Sequence, residues 1–175
     1  MGLSAIGPVM QFAYVPTDFD AAIKHWTQTM GVGPFYLMEN IHLGDMRYLG
    51  EPTECRFSIA IAYWGDMQIE LVRVENDAPG IYRGEYGVSG DVLHHQCVLT
   101  DDIMKARAIC EEFGAKVLVE GKVGDDGAVI YVDTGGGPGT ILEILQASSG
   151  TEGLFAMIRD QAKTWDGSDP LRKLG

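Results

Sequence analysis

Residues 9–74 and 93–146 run through the same order of elements, strand–helix–three strands, and no other feature of the chain limits its fold so much. In the first copy VMQFAYVP is an apolar, β-rich run closed by Pro16, which predicts a strand. Phe19, Ala22, Ile23, Trp26 and Met30 follow at helical spacing, with Thr17 or Asp18 as N-cap and Gly31 placed to end the helix. GVGPFYLMENIHL, CRFSIAIAY and MQIELVRV predict three further strands, the last two joined by a turn at 64–66. In the second copy LHHQCVLT is a strand, and Ile103, Ala106, Cys110 and Phe113 mark one side of a helix. AKVLVEGKV, AVIYVDT and GTILEILQ complete it, the last two as a hairpin around 135–139. The step of 84 residues from Gln11 to His95 also carries Asp18 onto Asp102, Phe19 onto Ile103 and Trp26 onto Cys110.

Two units of this kind, each with an open sheet face, bury those faces by pairing around a shared cleft. The expected class is therefore α+β, two tandem βαβββ modules with paired curved sheets. The boundaries are 1–74 for the first module, 75–92 for a Gly-rich linker without periodicity, and 93–148 for the second module. In 149–175, Leu154, Phe155, Ile158, Ala162 and Trp165 form one stripe, predicting an amphipathic helix that docks on the body or on a partner subunit. A homodimer is expected on that basis, and the last ten residues are expected to be a loose end.

Composition excludes several classes. The net charge is −12 and the pI is near 4.6, which opposes general binding to a nucleic-acid backbone. No run of 18 apolar residues predicts a membrane span, and MGLSAIGPVMQF has neither the basic nor the apolar region of a secretory signal. Cys55, Cys97 and Cys110 are odd in number and unrelated in spacing, so free thiols in a cytoplasmic protein are expected.

Four polar residues interrupt strand patterns where apolar ones belong: Gln11, Glu70, His95 and Glu143. Singly, each has an ordinary explanation; a Glu inside I-E-L-V or L-E-I-L is usually the solvent side of a half-exposed strand. The repeat changes this, because each unit supplies one near the start of its first strand and one in its last. Equivalent positions converge on the concave face and give two carboxylates, an imidazole and an amide oxygen. That donor set suits a divalent ion such as zinc, nickel, manganese, cobalt or iron.

QFAYVPTDFDAAIKHW, MQIELV, LHHQCVLTDDIMKARAICEEFG and VDTGGGPGTILEIL resemble the vicinal oxygen chelate superfamily, which holds glyoxalases, bleomycin-resistance proteins and extradiol dioxygenases. The resemblance implies that each module supplies two of four metal ligands, here Gln11, Glu70, His95 and Glu143, with zinc foremost among the candidate ions. The Gln-Glu-His-Glu order is similar to zinc-type glyoxalase I, whereas methylmalonyl-CoA epimerases usually carry His, Gln, His and Glu. It further implies an isomerase or lyase acting on a small carbonyl substrate such as a thioester, a hydroxyketone or a glutathione adduct. A Lewis-acidic metal stabilises the oxyanion and a carboxylate moves the proton, Glu143 first and Glu70 second. Ser58 stands where the epimerase branch carries a further catalytic Glu, which disfavours two-base epimerisation. Tyr14, Phe57, Ser58 and Tyr63 are candidates for the substrate pocket. His94 is expected to face away from His95 by strand alternation. The glycine-rich DTGGGPGT lacks the Lys-Ser/Thr of a phosphate loop and is expected to be a hairpin. A non-catalytic, drug-sequestering binding protein is the alternative; an extradiol dioxygenase fits less well, because Gln11 replaces a needed His.

Overall fold

The computed structural model describes residues 2–88 and 90–174. Among the described residues eleven strands form one curved sheet in the order β11-β2-β5-β6-β1-β7-β10-β9-β8-β3-β4. The first half contributes β1 (Val9–Tyr14), β2 (Phe35–Ile41), β3 (Gly44–Tyr48), β4 (Glu51–Pro52), β5 (Phe57–Trp64) and β6 (Met67–Val74). The second contributes β7 (Leu93–Leu99), β8 (Lys116–Val123), β9 (Gly127–Asp133) and β10 (Ile141–Gln146), and the tail adds β11 (Leu171–Lys173). The helices are α1 (Phe19–Lys24, continued by a π-helical turn over His25–Thr29), α2 (Ile103–Glu112) and α3 (Ser149–Lys163).

The repeat is visible in the register. β1 and β7 lie antiparallel at the centre, Gln11 opposite Cys97 and Ala13 opposite His95. The 84-residue step converts one of these pairs into the other, so a pseudo-twofold axis passes between them. β6 runs parallel to β1 with Glu70 beside Ala13, and β10 runs parallel to β7 with Glu143 beside Cys97. Directly opposed residues share a face, so Gln11, Glu70, His95 and Glu143 all stand on one face. Local chemistry repeats as well: Asp18 caps α1 by accepting from the Ala21 N–H, and Asp102 caps α2 by accepting from that of Lys105.

α1 and α2 cover the outer face. Phe19 and Ile23 pack on Leu37, Ile69 and Leu71; Ala106 and Cys110 pack on Val98, Ile130 and Ile144. The sheet itself rolls up until its two ends nearly meet. β2 and β3 lie near opposite ends, yet only His42 and Leu43 separate them, a link of about 10 Å of extended chain. At the crossing Leu43 rests on β8, where a Cβ on Gly121 would stand 2.7 Å from the Leu43 Cβ.

Two features differ from the sequence expectation. First, the hairpin β3–β4 is additional to the strand–helix–three-strand pattern. Its turn places Leu49 and Gly50 at φ 51° and 85°, and a leucine there is a poor turn signal. Second, the final segment is not loose. Trp165 lies on Gly33, its indole N–H donates to the Ser168 carbonyl at 2.6 Å, and β11 pairs with β2. Of the two docking places expected for the apolar stripe of α3, the body is the one used, which removes the basis of the homodimer expectation: Leu154, Phe155, Ile158 and Ala162 pack with Tyr36, Ile61 and Tyr63 over the inner face. Ser148 caps this helix through the Thr151 N–H, and Ile158 is fully buried. Ile158→Ala is expected to cost about 2–5 kcal/mol, measured as a lower urea midpoint; an unchanged midpoint would show that α3 is not docked.

Candidate metal centre

Gln11, Glu70, His95 and Glu143 converge beneath α3, each less than a tenth exposed. One ligand atom each from Glu70, His95 and Glu143 can be chosen so that all lie within 4.8 Å of one another. His95 Nε2 is 3.2 Å from a Glu143 oxygen and 3.5 Å from a Glu70 oxygen. Gln11 Nε2 donates to Glu70 at 3.1 Å and also to Gln68. Gln68 was not singled out from sequence; it precedes Glu70 by two residues and so shares its face. Its own amide donates to the Tyr63 hydroxyl at 3.0 Å.

This arrangement leaves Gln11 Oε1 without a partner, and His95 Nε2 and Glu143 Oε2 with only ion-pair contacts such as their mutual 3.2 Å approach, which lacks hydrogen-bond geometry. Buried groups of this kind are rarely left unsatisfied in folded proteins. Here one comes from each of three strands, and all three are good donors to a divalent cation. The residues present therefore fit a metal ion.

The His95 tautomer follows from its neighbour. His94 Nε2 lies 2.9 Å from the Ile81 carbonyl oxygen, which can only accept, so this nitrogen carries the proton. Burial, reinforced by the charge of His95, lowers His94 to about 4, so its ring is neutral and Nδ1 is an acceptor. The His95 Nδ1, 2.9 Å away, must then donate to it. A neutral His95 accordingly has its lone pair on Nε2, aimed at the carboxylates. Such a hydrogen bond to the far nitrogen is the usual means of fixing a metal-binding imidazole. The two rings are perpendicular at 5.2 Å, so His94 does not turn away from His95 as strand alternation predicted. His94→Phe is expected to weaken metal binding about 10–100-fold, measured by chelator competition; unchanged affinity would contradict this role.

Without metal the site is electrostatically coupled. Burial opposes a charge on His95, but the adjoining Glu143 and Glu70 outweigh it and raise the imidazole to about 9. Burial pushes the Glu70 carboxyl up, His95 pulls it down, Glu143 pushes it up again, and the net shift is upward.

A cavity of about 150 Å³ opens above the group. Gln11, Glu70 and Glu143 form its floor, Tyr131 and Phe57 stand in its wall, and Leu154 and Phe155 of α3 form its roof. Of the four expected pocket residues, only Phe57 lines it. Ser58, next along β5, faces the other way; its hydroxyl donates to Glu75 and accepts from the Asn40 N–H. Tyr14 packs against Trp26 beside α1, in a separate surface groove. Tyr63 is on the inner face but lies under Arg159 of α3. Tyr131 was missed, because an aromatic in an apolar strand looks like core.

The sequence matches the family model described as Glyoxalase/Bleomycin resistance protein/Dioxygenase superfamily over residues 10–132. A search of the curated proteins gives no significant match. Among solved structures, methylmalonyl-CoA epimerase from Mycobacterium tuberculosis aligns with 87% of this chain and 95% of its own, at 12% identity and a TM-score of 0.58. The Streptomyces coelicolor methylmalonyl-CoA epimerase Q60A variant, in complex with 2-nitronate-propionyl-CoA, aligns with 82% of this chain and 99% of its own, at 16% identity and a TM-score of 0.54. The hypothetical protein BH1468 from Bacillus halodurans aligns with 81% and 95%, at 12% identity and a TM-score of 0.55. At these identities the likeness is one of fold.

Proposed function

The chain belongs to the glyoxalase/bleomycin resistance protein/dioxygenase superfamily, and from that premise we propose that Gln11, Glu70, His95 and Glu143 hold one divalent cation and catalyse proton transfer beside a carbonyl group. The observation that carries this reading is the convergence, under an apolar cavity, of three buried donor atoms that no hydrogen bond satisfies. A divalent ion bound there supplies Lewis acidity to a carbonyl oxygen and makes the neighbouring C–H bond more acidic.

Glu143 is the base. In the metal-free protein its Oε2 meets only His95 Nε2, at 3.2 Å, whereas Glu70 is held by both Gln11 and His95. Glu70 and Gln11 keep their places through the Gln11–Gln68–Tyr63 chain, and His95 is aimed by His94. Leu154 and Phe155 of α3 shield the floor from water, which strengthens every polar interaction below them. Ser58 faces away from the floor, which supports one-base isomerisation or lyase chemistry over a two-base epimerisation. The same reading takes the modules as 1–74 and 93–148; a homodimer would need a face other than the α3 stripe and is tested by sedimentation.

Zinc- or nickel-loaded protein is expected to exchange the C–H beside the carbonyl of a hydroxyketone or thioester for deuterium in heavy water, followed by proton NMR. Glu143→Gln should slow the exchange by about 10²–10⁴-fold. A compound that binds without exchanging, at a site known to hold metal, would favour the binding-protein reading. Oxygen uptake with catechols would favour a dioxygenase.

A further inference from the structure

The cavity walls and roof carry information about the substrate that the floor does not. Resting on the metal site proposed above, we propose that the substrate is a compact, uncharged hydroxyketone or related carbonyl compound with a short apolar chain, and that Phe155 and Leu154 set its upper size. The volume of about 150 Å³ corresponds to about five water molecules of liquid volume. It is about half the lower bound of roughly 300 Å³ for sites that take drug-sized ligands.

The wall chemistry is one-sided. Apart from the floor, Tyr131 and Thr151, the lining is apolar, with Ile59, Leu43 and Leu145 among it, and no Lys or Arg of the described residues takes part. Arg159 of α3 is not on the lining; its guanidinium carbon sits 4.8 Å from the centre of the Tyr63 ring. Beyond the ion itself, an anionic group would sit among apolar walls with no lining Lys or Arg to answer it, which is costly in such surroundings. Phosphate- and carboxylate-bearing thioesters or glutathione adducts are disfavoured by charge as well as by size.

α3 makes the site small. It lies beyond the family match at residues 10–132, and its Leu154 and Phe155 side chains sit on the inner face, packed against the sheet's aromatic and aliphatic residues. Both are half-buried, at the rim, whereas Gln11, Glu70 and Glu143 at the floor are buried. Truncating Phe155 therefore enlarges the cavity at its mouth and leaves the floor intact.

The test begins with cobalt titration of the metal-free full chain, followed by calorimetry of the cobalt form with four probes: acetoin, lactate, benzoin and acetyl-CoA. Acetoin and lactate are similar in size and differ in charge; benzoin keeps the hydroxyketone and adds two rings. The expected result is that acetoin binds wild type at least about tenfold more tightly than lactate, that benzoin and acetyl-CoA do not bind it, and that benzoin binds Phe155→Ala. Phe155→Leu, which disturbs packing less, should lie between. No binding of acetoin, tighter binding of lactate or acetyl-CoA, or equal binding of benzoin to wild type and variants overturns the proposal. Absence of cobalt binding overturns the metal reading instead, and the size limit is then read on metal-free protein by thermal shift. Stabilisation by 2-pentanone but not by benzoin supports the limit; equal effects of both, or none from 2-pentanone, overturn it.

Discussion

His95→Ala is expected to weaken binding of zinc or nickel by more than the 10–100-fold that typically follows loss of an outer-shell partner, on the order of 10³-fold. His95 is the only nitrogen donor in the group and is fully buried, and its Nε2 faces both carboxylates at 3.2 and 3.5 Å. The alanine variant also removes the imidazole that separates Glu70 from Glu143. Two buried carboxylates then face each other, and one must take up a proton. Chelator competition at pH 8 reads the affinity, and circular dichroism shows that the variant is folded. Affinity within tenfold of wild type in a folded variant would mean that the ion, if any, sits elsewhere.

The second large effect is one of pH. In the metal-free protein Glu143 and Glu70 raise His95 to about 9 against the opposing effect of burial. A metal ion must displace that proton, so its apparent affinity should rise about tenfold per pH unit below 9, about 100-fold between pH 7 and 9, and level off above. Stability of the metal-free protein runs in the opposite direction. A folded-state pKa above the unfolded value of about 6.5 stabilises fully below pH 6.5, and the contribution is lost as pH rises towards 9. The raised Glu70 carboxyl acts in the same sense. The melting temperature of stripped protein should therefore fall between pH 6.5 and 9, by on the order of 5 °C. Metal-saturated protein should show no such fall. An affinity that is flat over this range would contradict His95 as the ligand that gives up a proton.

The four converging polar residues are readable in the sequence because each half repeats the other. Gln11 and His95 are one position seen twice, as are Glu70 and Glu143, and the reciprocal pairs Gln11–Cys97 and Ala13–His95 follow from that symmetry. What the repeat does not contain was harder to see. Gln68 was within reach, since alternation places it on the face of Glu70, but a glutamine two residues from a carboxylate looks like surface. His94 was misjudged because strand periodicity describes where a side chain leaves the backbone, not where a long flat ring ends, and its ring reaches His95 Nδ1. The α3 stripe predicted one apolar face without saying what it would meet; only the rolled sheet, closed by the His42–Leu43 link, leaves an inner face for it. β11 is a three-residue strand in a segment rich in turn formers, so its pairing with β2 depends on Trp165 reaching Gly33, a contact no local pattern encodes.

Ser58 and Tyr63 illustrate the same difference. Both lie on β5, and both are buried. Pleat alternation sends Ser58 to the outer face with Glu75, and α3 rather than β5 decides that Tyr63 is covered while Phe57 stays at the cavity. Local periodicity assigns a face; the element that packs on the face assigns access.

The buried Gln11–Glu70–His95–Glu143 group is expected to hold a single divalent cation. Isothermal titration of zinc, nickel and manganese into chelator-stripped protein at pH 8, in two buffers of different ionisation heat, tests it directly. One ion per chain is expected for at least one of the metals, with release of close to one proton as His95 gives up its charge, and no saturable binding by a folded His95→Ala, Glu143→Gln double variant. A wild-type protein that takes up none of these ions, or one whose binding is unchanged in the double variant, would contradict it.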